Sequence, residues 1–148
     1  MFRGTSFHTI DTKGRIIIPA RFRDVIKAGG GNGVMVTQLD GCLKAYPFSE
    51  WRVIEDRIRS MVKRNDSLRR FRRLFVGGAY ECTCDKQDRI LVPPIHRDYA
   101  ELNKHIVLIG VLDHFEIWSK ERWQQESLQL AEDLKRDDVK DDIAILGL

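Results

Sequence analysis

Hydrophobic positions along the chain fall into short runs separated by turn-forming residues, a pattern typical of short strands. Two β-rich runs, residues 6–10 and 16–18, predict strands, and the three-residue loop Thr12–Gly14 between them has a hairpin length. Pro19 follows the second strand, and Pro93 follows a second apolar triplet further along. Because proline lacks the N–H that a strand uses but fits the first turn of a helix, both prolines predict a strand end followed by a helix.

Longer apolar runs predict two further strand pairs and the helices after them. The runs are Val34–Leu39 continued by Leu43–Tyr46, and Ile106–Leu112 continued by Phe115–Trp118. Ser49 and Ser119 follow these pairs and are predicted N-caps, because a serine hydroxyl accepts a bond from a free N–H of the first turn. The apolar positions of the predicted helices are Trp51, Ile54, Ile58 and Met61; Trp123, Leu130 and Leu134; and, behind Pro93, Ile95, Tyr99 and Leu102.

The order of these features occurs twice in the chain. At one constant offset, Asp11, Arg15, Pro19, Arg23 and Asp24 match Asp85, Arg89, Pro93, Arg97 and Asp98. Such a copy is too small to cover both faces of its own apolar triplet, so it is expected to interlock with its sister copy or with a second chain. We expect an α+β fold, mainly β, in which two tandem pseudo-repeats form a composite barrel with flanking amphipathic helices.

The expected organisation has four parts. They are residues 5–52 for the first repeat, 53–80 for a helical connector, 81–124 for the second repeat and 125–148 for a C-terminal helix and acidic tail. Helical spacing within the connector puts Leu68, Phe71, Leu74 and Phe75 on one face, and Arg69, Arg70, Arg72 and Arg73 on the other.

The net charge of +3 is unevenly distributed: residues 1–125 carry +7 and residues 126–148 carry −4. A basic body with an acidic tail indicates a polyanionic partner, or a tail that shields the body. No apolar stretch is long enough to span a bilayer, and the first eleven residues lack the apolar core of a signal peptide. We therefore expect a cytoplasmic protein with no membrane partner. The three cysteines, Cys42, Cys82 and Cys84, are expected to be reduced thiols, and the Cys82–Cys84 pair is predicted to lie in the core rather than in a metal site.

Each predicted hairpin places an aspartate opposite an arginine. Asp11 would face Arg15, and Ile10 would face Ile16, with Lys13 in the loop. In the second copy Asp85 would face Arg89 and Cys84 would face Ile90, with Lys86 in the loop. A carboxylate in this position accepts turn N–H groups and steers the guanidinium, whose planar fork suits phosphate oxygens and guanine edges.

The residue that ends each loop needs a positive φ. Gly14 adopts such a conformation without cost, and Asp88, which takes its place in the second loop, tolerates it better than most residues. Asp88 also adds a negative charge next to Arg89. The first loop is therefore predicted to carry more of the nucleic-acid contact than the second.

Two tandem D-x-x-x-R turns, each followed by an apolar triplet and a proline, closely resemble the MraZ family of the AbrB/SpoVT swapped-hairpin superfamily. The likeness extends to the opening "MFRG", the basic segment between the repeats and "LIGVLDHFEIW". The resemblance implies two swapped-hairpin units and a cytoplasmic, nucleoid-associated, sequence-specific transcription factor. It also implies a ring-shaped homo-oligomer that binds double-stranded DNA at direct repeats upstream of the division and cell-wall gene cluster.

The family motif carries over onto six positions of this chain, which are Asp11, Lys13, Arg15, Asp85, Lys86 and Arg89. The DNA-binding candidates are Lys13, Arg15, Lys86 and Arg89, with Arg3 as a weaker one, and the hairpin-orienting candidates are Asp11, Gly14 and Asp85.

Alternatives remain open for most of these residues. The Asp–Arg pairs are equally typical of a cross-strand pair that only holds a hairpin. The connector arginines, together with Arg57, Arg59, Lys63 and Arg64, are also typical of a solvated helix face or a subunit contact. Arg21 and Arg23 are placed near the expected DNA face.

An antitoxin-like protein that binds DNA and sequesters a protein partner is the alternative function. The sequence contains no phosphate-binding glycine loop, metal-ligand set or nucleophile–base motif. No enzyme activity, cofactor, metal or small-molecule substrate is therefore expected.

Overall fold

The computed structural model describes residues 1–61 and 65–148, and within them strands and helices alternate in two similar series. The first series is β1 (Thr5–Thr9), β2 (Arg15–Ile17), α1 (Ala20–Ala28), β3 (Gly33–Leu39), β4 (Cys42–Pro47) and α2 (Phe48–Ser60). After α3 (Asp66–Gly77) the second series is β5 (Tyr80–Thr83), β6 (Arg89–Leu91), α4 (Pro94–Tyr99), β7 (His105–Gly110), β8 (Phe115–Ser119) and α5 (Lys120–Asp133), and α6 (Asp137–Ile145) follows. The predicted α+β class and the repeat are therefore confirmed. No helix of the described residues has the length and apolar content needed to cross a membrane.

The strands form two antiparallel sheets in which the repeats exchange partners. The larger sheet has the order β1-β7-β8-β4-β3-β5, and the smaller one contains only β2 and β6. Strand β1 of the first repeat thus pairs with β7 of the second, and β5 of the second pairs with β3 of the first. The two copies interlock within one chain, and their ladders stay separate in the described part of the chain instead of closing into the predicted barrel.

Each predicted turn is present, but the predicted pairing of the two strands that flank it is wrong. Ile10 does not face Ile16, because its N–H donates to the carbonyl of Lys104 at 3.0 Å. In the second copy the N–H of Cys84 donates to the carbonyl of Asn32 at 2.8 Å. Strands β2 and β6 are thereby free to pair with each other, and Ile16 faces Ile90 across that ladder.

The main core lies between the inner face of the large sheet and the small sheet with its helices α1 and α4. The rings of Phe2, Phe22 and Phe115 meet there with centroids 5.2 Å apart. Ile16, Ile18, Ile90 and Val92 are fully buried in the same cluster. Ile17 and Leu91, however, are 54% and 56% exposed, so the prediction that both faces of each triplet are buried is wrong for the chain by itself.

A second, smaller core covers the outer face of the large sheet. Tyr46, Trp51 and Phe75 form its centre, and Ile54, Ile58 and Phe71 pack against it. Leu74, predicted on the buried face of α3, is 63% exposed because Phe71 and Phe75 already cover the sheet at this point.

Both helices predicted to follow a proline begin there, whereas only one of the two predicted serine caps is observed. Pro19 and Pro93 are the N-caps of α1 and α4, as predicted. Ser119 caps α5 by accepting the N–H of Arg122 at 3.1 Å, but Ser49 is not a cap, because Pro47 ends β4 and α2 begins at Phe48.

Several predicted apolar positions of the helices lie at the surface. Ile95 is exposed, and His96 is the buried residue of α4 instead. Leu130 and Leu134 of α5 are also largely exposed.

The three thiols are free and buried, as predicted. Burial raises the pKa of Cys82 to about 11 and also raises that of Cys84. The described residues contain no cluster of three His, Cys, Asp or Glu side chains that would hold a metal ion.

Candidate nucleic-acid interface

The first turn is built around the carboxylate of Asp11. Its Oδ1 accepts the backbone N–H groups of Lys13 and Arg15 at 3.0 and 2.9 Å, and its Oδ2 accepts Nε of Arg15 at 2.6 Å. The N–H of Arg15, followed by the guanidinium and the N–H of Lys13, lowers the pKa of Asp11 to about 2. The charged carboxylate therefore fixes the turn and the direction of Arg15 together.

The second turn repeats this arrangement. Oδ1 of Asp85 accepts the N–H groups of Gln87 and Arg89, both at 2.9 Å, and Oδ2 accepts Nε of Arg89 at 3.0 Å. The same bonds, led by the N–H of Arg89, lower the pKa of Asp85. Nη2 of Arg89 also donates to the side-chain oxygen of Gln87. The predicted orienting role of both aspartates is thus consistent with the geometry of both turns.

The two turns form one rigid unit. The carbonyl of Gly14 accepts the N–H of Val92 at 2.8 Å, and the carbonyl of Asp88 accepts the N–H of Ile18 at 2.9 Å. Val92, which follows β6, thus holds the first loop, and Ile18, which follows β2, holds the second loop. Gly14 has φ +91° and Asp88 has φ +62°, as the loop length predicted.

Strands β2 and β6 form a two-stranded ribbon whose two faces differ. Arg15 pairs with Leu91, and Ile17 pairs with Arg89. Since side chains alternate along a strand, these four residues share the outer face, while Ile16 and Ile90 share the inner one. The outer face therefore presents two oriented guanidinium groups beside two exposed aliphatic side chains.

The lysines extend this basic surface, whereas Arg3 lies elsewhere. Lys13 and Lys86 are exposed at the two turns. Arg3 comes before β1, next to Gly110, whose N–H donates to the carbonyl of Gly4 at 2.9 Å. The length of β1 separates Arg3 from the turn at residues 11–15, so the structure does not bring it together with the other candidates.

The carboxylate of Asp88 pairs with an arginine of the first repeat. Its Oδ1 lies 3.4 Å from Nε of Arg23, and Arg23 also donates to the carbonyl of Ile18 at 2.7 Å. The negative charge that Asp88 adds to the second loop is thus paired with Arg23, and the smaller share of DNA contact expected for this loop stays a prediction. Sequence reasoning missed this pair because Arg23 belongs to the other repeat and reaches Asp88 only through the strand exchange.

The remaining arginine-rich segment lies outside the ribbon. Arg69 pairs with Asp66 within α3, and Arg69, Arg72 and Arg73 line a surface cleft with Val76 and Gly77. Arg57 and Arg59 are exposed on α2. Lys63 and Arg64 lie outside the described residues.

A second polar cluster, which the sequence did not indicate, lies on β4 and β8. Burial raises the pKa of Glu116, but bonds from His114 and Trp118 and the charge of Lys44 outweigh it and bring the pKa to about 2. Burial lowers the pKa of His114, but bonds to Glu116 and Asp113 raise it more. This network joins neighbouring strands of the large sheet and is remote in sequence from both turns.

The interlocked repeats and the shared ribbon define the class of this molecule: a tandem-repeat protein that presents two matching Asp–Arg turns on one surface. A family model described as "MraZ protein, putative antitoxin-like" matches residues 1–74 and again residues 75–143. The chain belongs to the MraZ family, and the resemblance inferred from the two turn motifs is confirmed.

Curated relatives cover the chain almost completely. A protein of Desulforapulum autotrophicum named "Transcriptional regulator MraZ" is 58% identical over 148 residues, the full length of both chains. Proteins with the same name from Desulfosudis oleivorans and Natranaerobius thermophilus are 49% and 44% identical; the first covers both chains fully, the second 97% of this chain and 100% of the relative.

Proposed function

We propose that this chain is a sequence-specific, DNA-binding transcriptional regulator whose ribbon surface contacts double-stranded DNA. The observation that carries the proposal is the ribbon itself, with two guanidinium groups each oriented by a carboxylate and each next to an exposed lysine. Planar guanidinium forks bind phosphate oxygens or a guanine edge in two-point fashion. The names of the relatives, which describe transcriptional regulators, support the same conclusion.

The roles within the ribbon follow from its contacts. Arg15 and Arg89 contact DNA, Lys13 and Lys86 add phosphate contacts, and Asp11 and Asp85 position the arginines without touching DNA themselves. Gly14 supplies the backbone conformation that closes the first turn. Arg3 contributes, if the DNA extends beyond the ribbon, as a separate phosphate contact.

The regulator acts as a ring-shaped homo-oligomer in the cytoplasm, bound to the nucleoid at direct repeats upstream of the division and cell-wall gene cluster. Few cations per chain give weak binding, and several chains on tandem sites convert it into strong binding through effective concentration. Exposed apolar surface supports self-association: Phe7 is 66% and Leu128 is 70% exposed, and both line a cleft with Trp123. The exchanged strands support a swapped-hairpin unit within each chain.

The proposal is tested by selecting bound fragments from random duplex DNA and titrating the selected duplex at several salt concentrations. Because phosphate contacts release counterions, the logarithm of the association constant should fall linearly with the logarithm of the salt concentration. A selection that enriches no sequence, or binding that does not weaken as salt rises, would contradict it.

A further inference from the structure

Arg23 and Arg97 occupy matching positions in the two repeats but have different surroundings. Arg23 is paired with Asp88 and with the carbonyl of Ile18. Arg97 lies within 4.0 Å of no carboxylate among the residues that the structure describes, and its Nε is buried without a hydrogen-bond partner. The difference follows from the loop residue: the second loop supplies Asp88, and the first supplies Gly14, which has no side chain to offer.

Gly14 also explains how closely Arg97 approaches the first turn. A Cβ atom at position 14 would lie 2.9 Å from both Cζ and Nε of Arg97. The guanidinium therefore packs directly against the backbone of the loop that carries Lys13 and Arg15. It is a second arginine beside the first turn, after Arg15, and it forms no ion pair among the described residues.

Arg97 lines a surface cleft of about 680 Å³, together with Thr12, Asn103 and Lys104. The backbone of Lys104 is fixed at this position, because its carbonyl accepts the N–H of Ile10. Asp11 also lines the cleft, but its two oxygens already bind the turn N–H groups and the guanidinium of Arg15. The cleft is thus lined by two cationic residues and two threonines, Thr9 and Thr12, while its carboxylate is already engaged.

We propose that this cleft binds one phosphate group, with Arg97 as its main ligand and with Lys104 and the Thr12 hydroxyl as its partners. Nε of Arg97 is itself enclosed, but the residue as a whole is only partly buried and lines the cleft, so a phosphate oxygen there would accept a charge-assisted bond from the rest of the guanidinium. The inference rests on the proposed function in one respect: the phosphate belongs to the DNA backbone beside the first turn. A free phosphate group has the same chemistry, so the experiment distinguishes the two sources.

The first experiment measures how the affinity of Arg97→Gln and of Arg23→Gln for the selected duplex depends on salt concentration. Loss of one phosphate contact should reduce the salt slope by about 0.9 in Arg97→Gln. Arg23→Gln is the matched control, since Arg23 is already neutralised by Asp88, and its slope should equal that of the wild type. Asp88→Gly should have the opposite effect, because it releases Arg23 and creates a second site, increasing the slope by about 0.9.

The second experiment titrates the unmodified protein with inorganic phosphate while the Nε–H resonance of Arg97 is followed by NMR. A saturable shift of this resonance, with an unchanged DNA slope in Arg97→Gln, would show that the site takes free phosphate groups. Absence of both the shift and the slope change would overturn the proposal. If the unmodified protein binds no DNA, the proposed function fails, and the phosphate titration alone decides on the cleft.

Discussion

At the scale of single residues, the two Asp–Arg pairs orient the arginines more than they stabilise the fold. Both carboxylates bind two backbone N–H groups and one guanidinium, so the direction of each arginine is set by the turn. The sequence predicted these pairs because all their partners lie within five consecutive residues. It did not predict the partner of Asp88, because Arg23 is distant in sequence and reaches it only in the folded chain.

Arg15→Ala should abolish specific DNA binding while the free energy of unfolding changes by no more than ~1 kcal/mol, since exposed ion pairs contribute little. Arg89→Ala should reduce binding less, because the second loop is expected to carry a smaller share of the DNA contact. Arg57→Ala, which removes one exposed cation from α2, is the control and should bind like the wild type. Fluorescence anisotropy and urea denaturation measure the two quantities. An Arg15→Ala protein that unfolds, or one that binds normally, would contradict the assignment.

His114 should make stability depend on pH. Its pKa is raised in the folded chain by Glu116 and Asp113, with Lys44 and the stacked ring of Tyr46 as its other close neighbours. A raised folded pKa stabilises the fold fully below the unfolded value of about 6.5, and this stabilisation is lost as the pH rises through the folded pKa. Urea denaturation should thus give a lower free energy of unfolding at higher pH. His114→Gln should flatten this dependence; an equal dependence in both proteins would assign it to other groups.

At the scale of elements, local signals predicted the strands, turns and proline-started helices, but not which strands pair. Pro19 and Pro93 act on the backbone next to them, so their effect is visible in the sequence. The pairing of β2 with β6 depends on where β1 and β7 meet, and the apolar pattern of two similar repeats does not distinguish a strand from its sister.

Because the two faces of the ribbon differ in burial, two neighbouring substitutions should reduce the free energy of unfolding by very different amounts. Ile16→Ala removes a fully buried side chain from the inner face and should cost ~2–5 kcal/mol of unfolding free energy. Ile17→Ala changes the exposed outer face and should stay within ~0.5 kcal/mol. Denaturation of both variants side by side measures the difference. Equal costs would mean that the outer face is covered in solution.

At the scale of the whole molecule, we propose that copies of the chain meet at an exposed apolar surface. Phe7 and Leu128 lie on opposite walls of one cleft, between β1 and α5. Sequence patterning did not identify this surface, because Leu128 is not among the apolar positions predicted for its helix, which are Trp123, Leu130 and Leu134. The surface is apparent only in the folded chain, in which Phe7 and Leu128 are both exposed.

The double substitution Phe7→Ser and Leu128→Ser should lower the native mass from that of an oligomer to that of a single chain of 17.2 kDa. Leu74→Ser is the matched control, because Leu74 is similarly exposed but lies on α3. Light scattering coupled to size exclusion gives the mass of each protein. Loss of assembly in the control, with assembly retained in the double variant, would move the interface to α3.

Site-directed cross-linking decides whether DNA lies against the surface of the two turns, as proposed, or against the basic face of α2. Cysteine introduced as Lys13→Cys, Lys86→Cys or Arg57→Cys would carry a thiol-attached photo-cross-linker; the native thiols are buried and react poorly. We expect cross-links to the selected duplex from positions 13 and 86 and none from position 57. Cross-links from position 57, with none from 13 or 86, would contradict it.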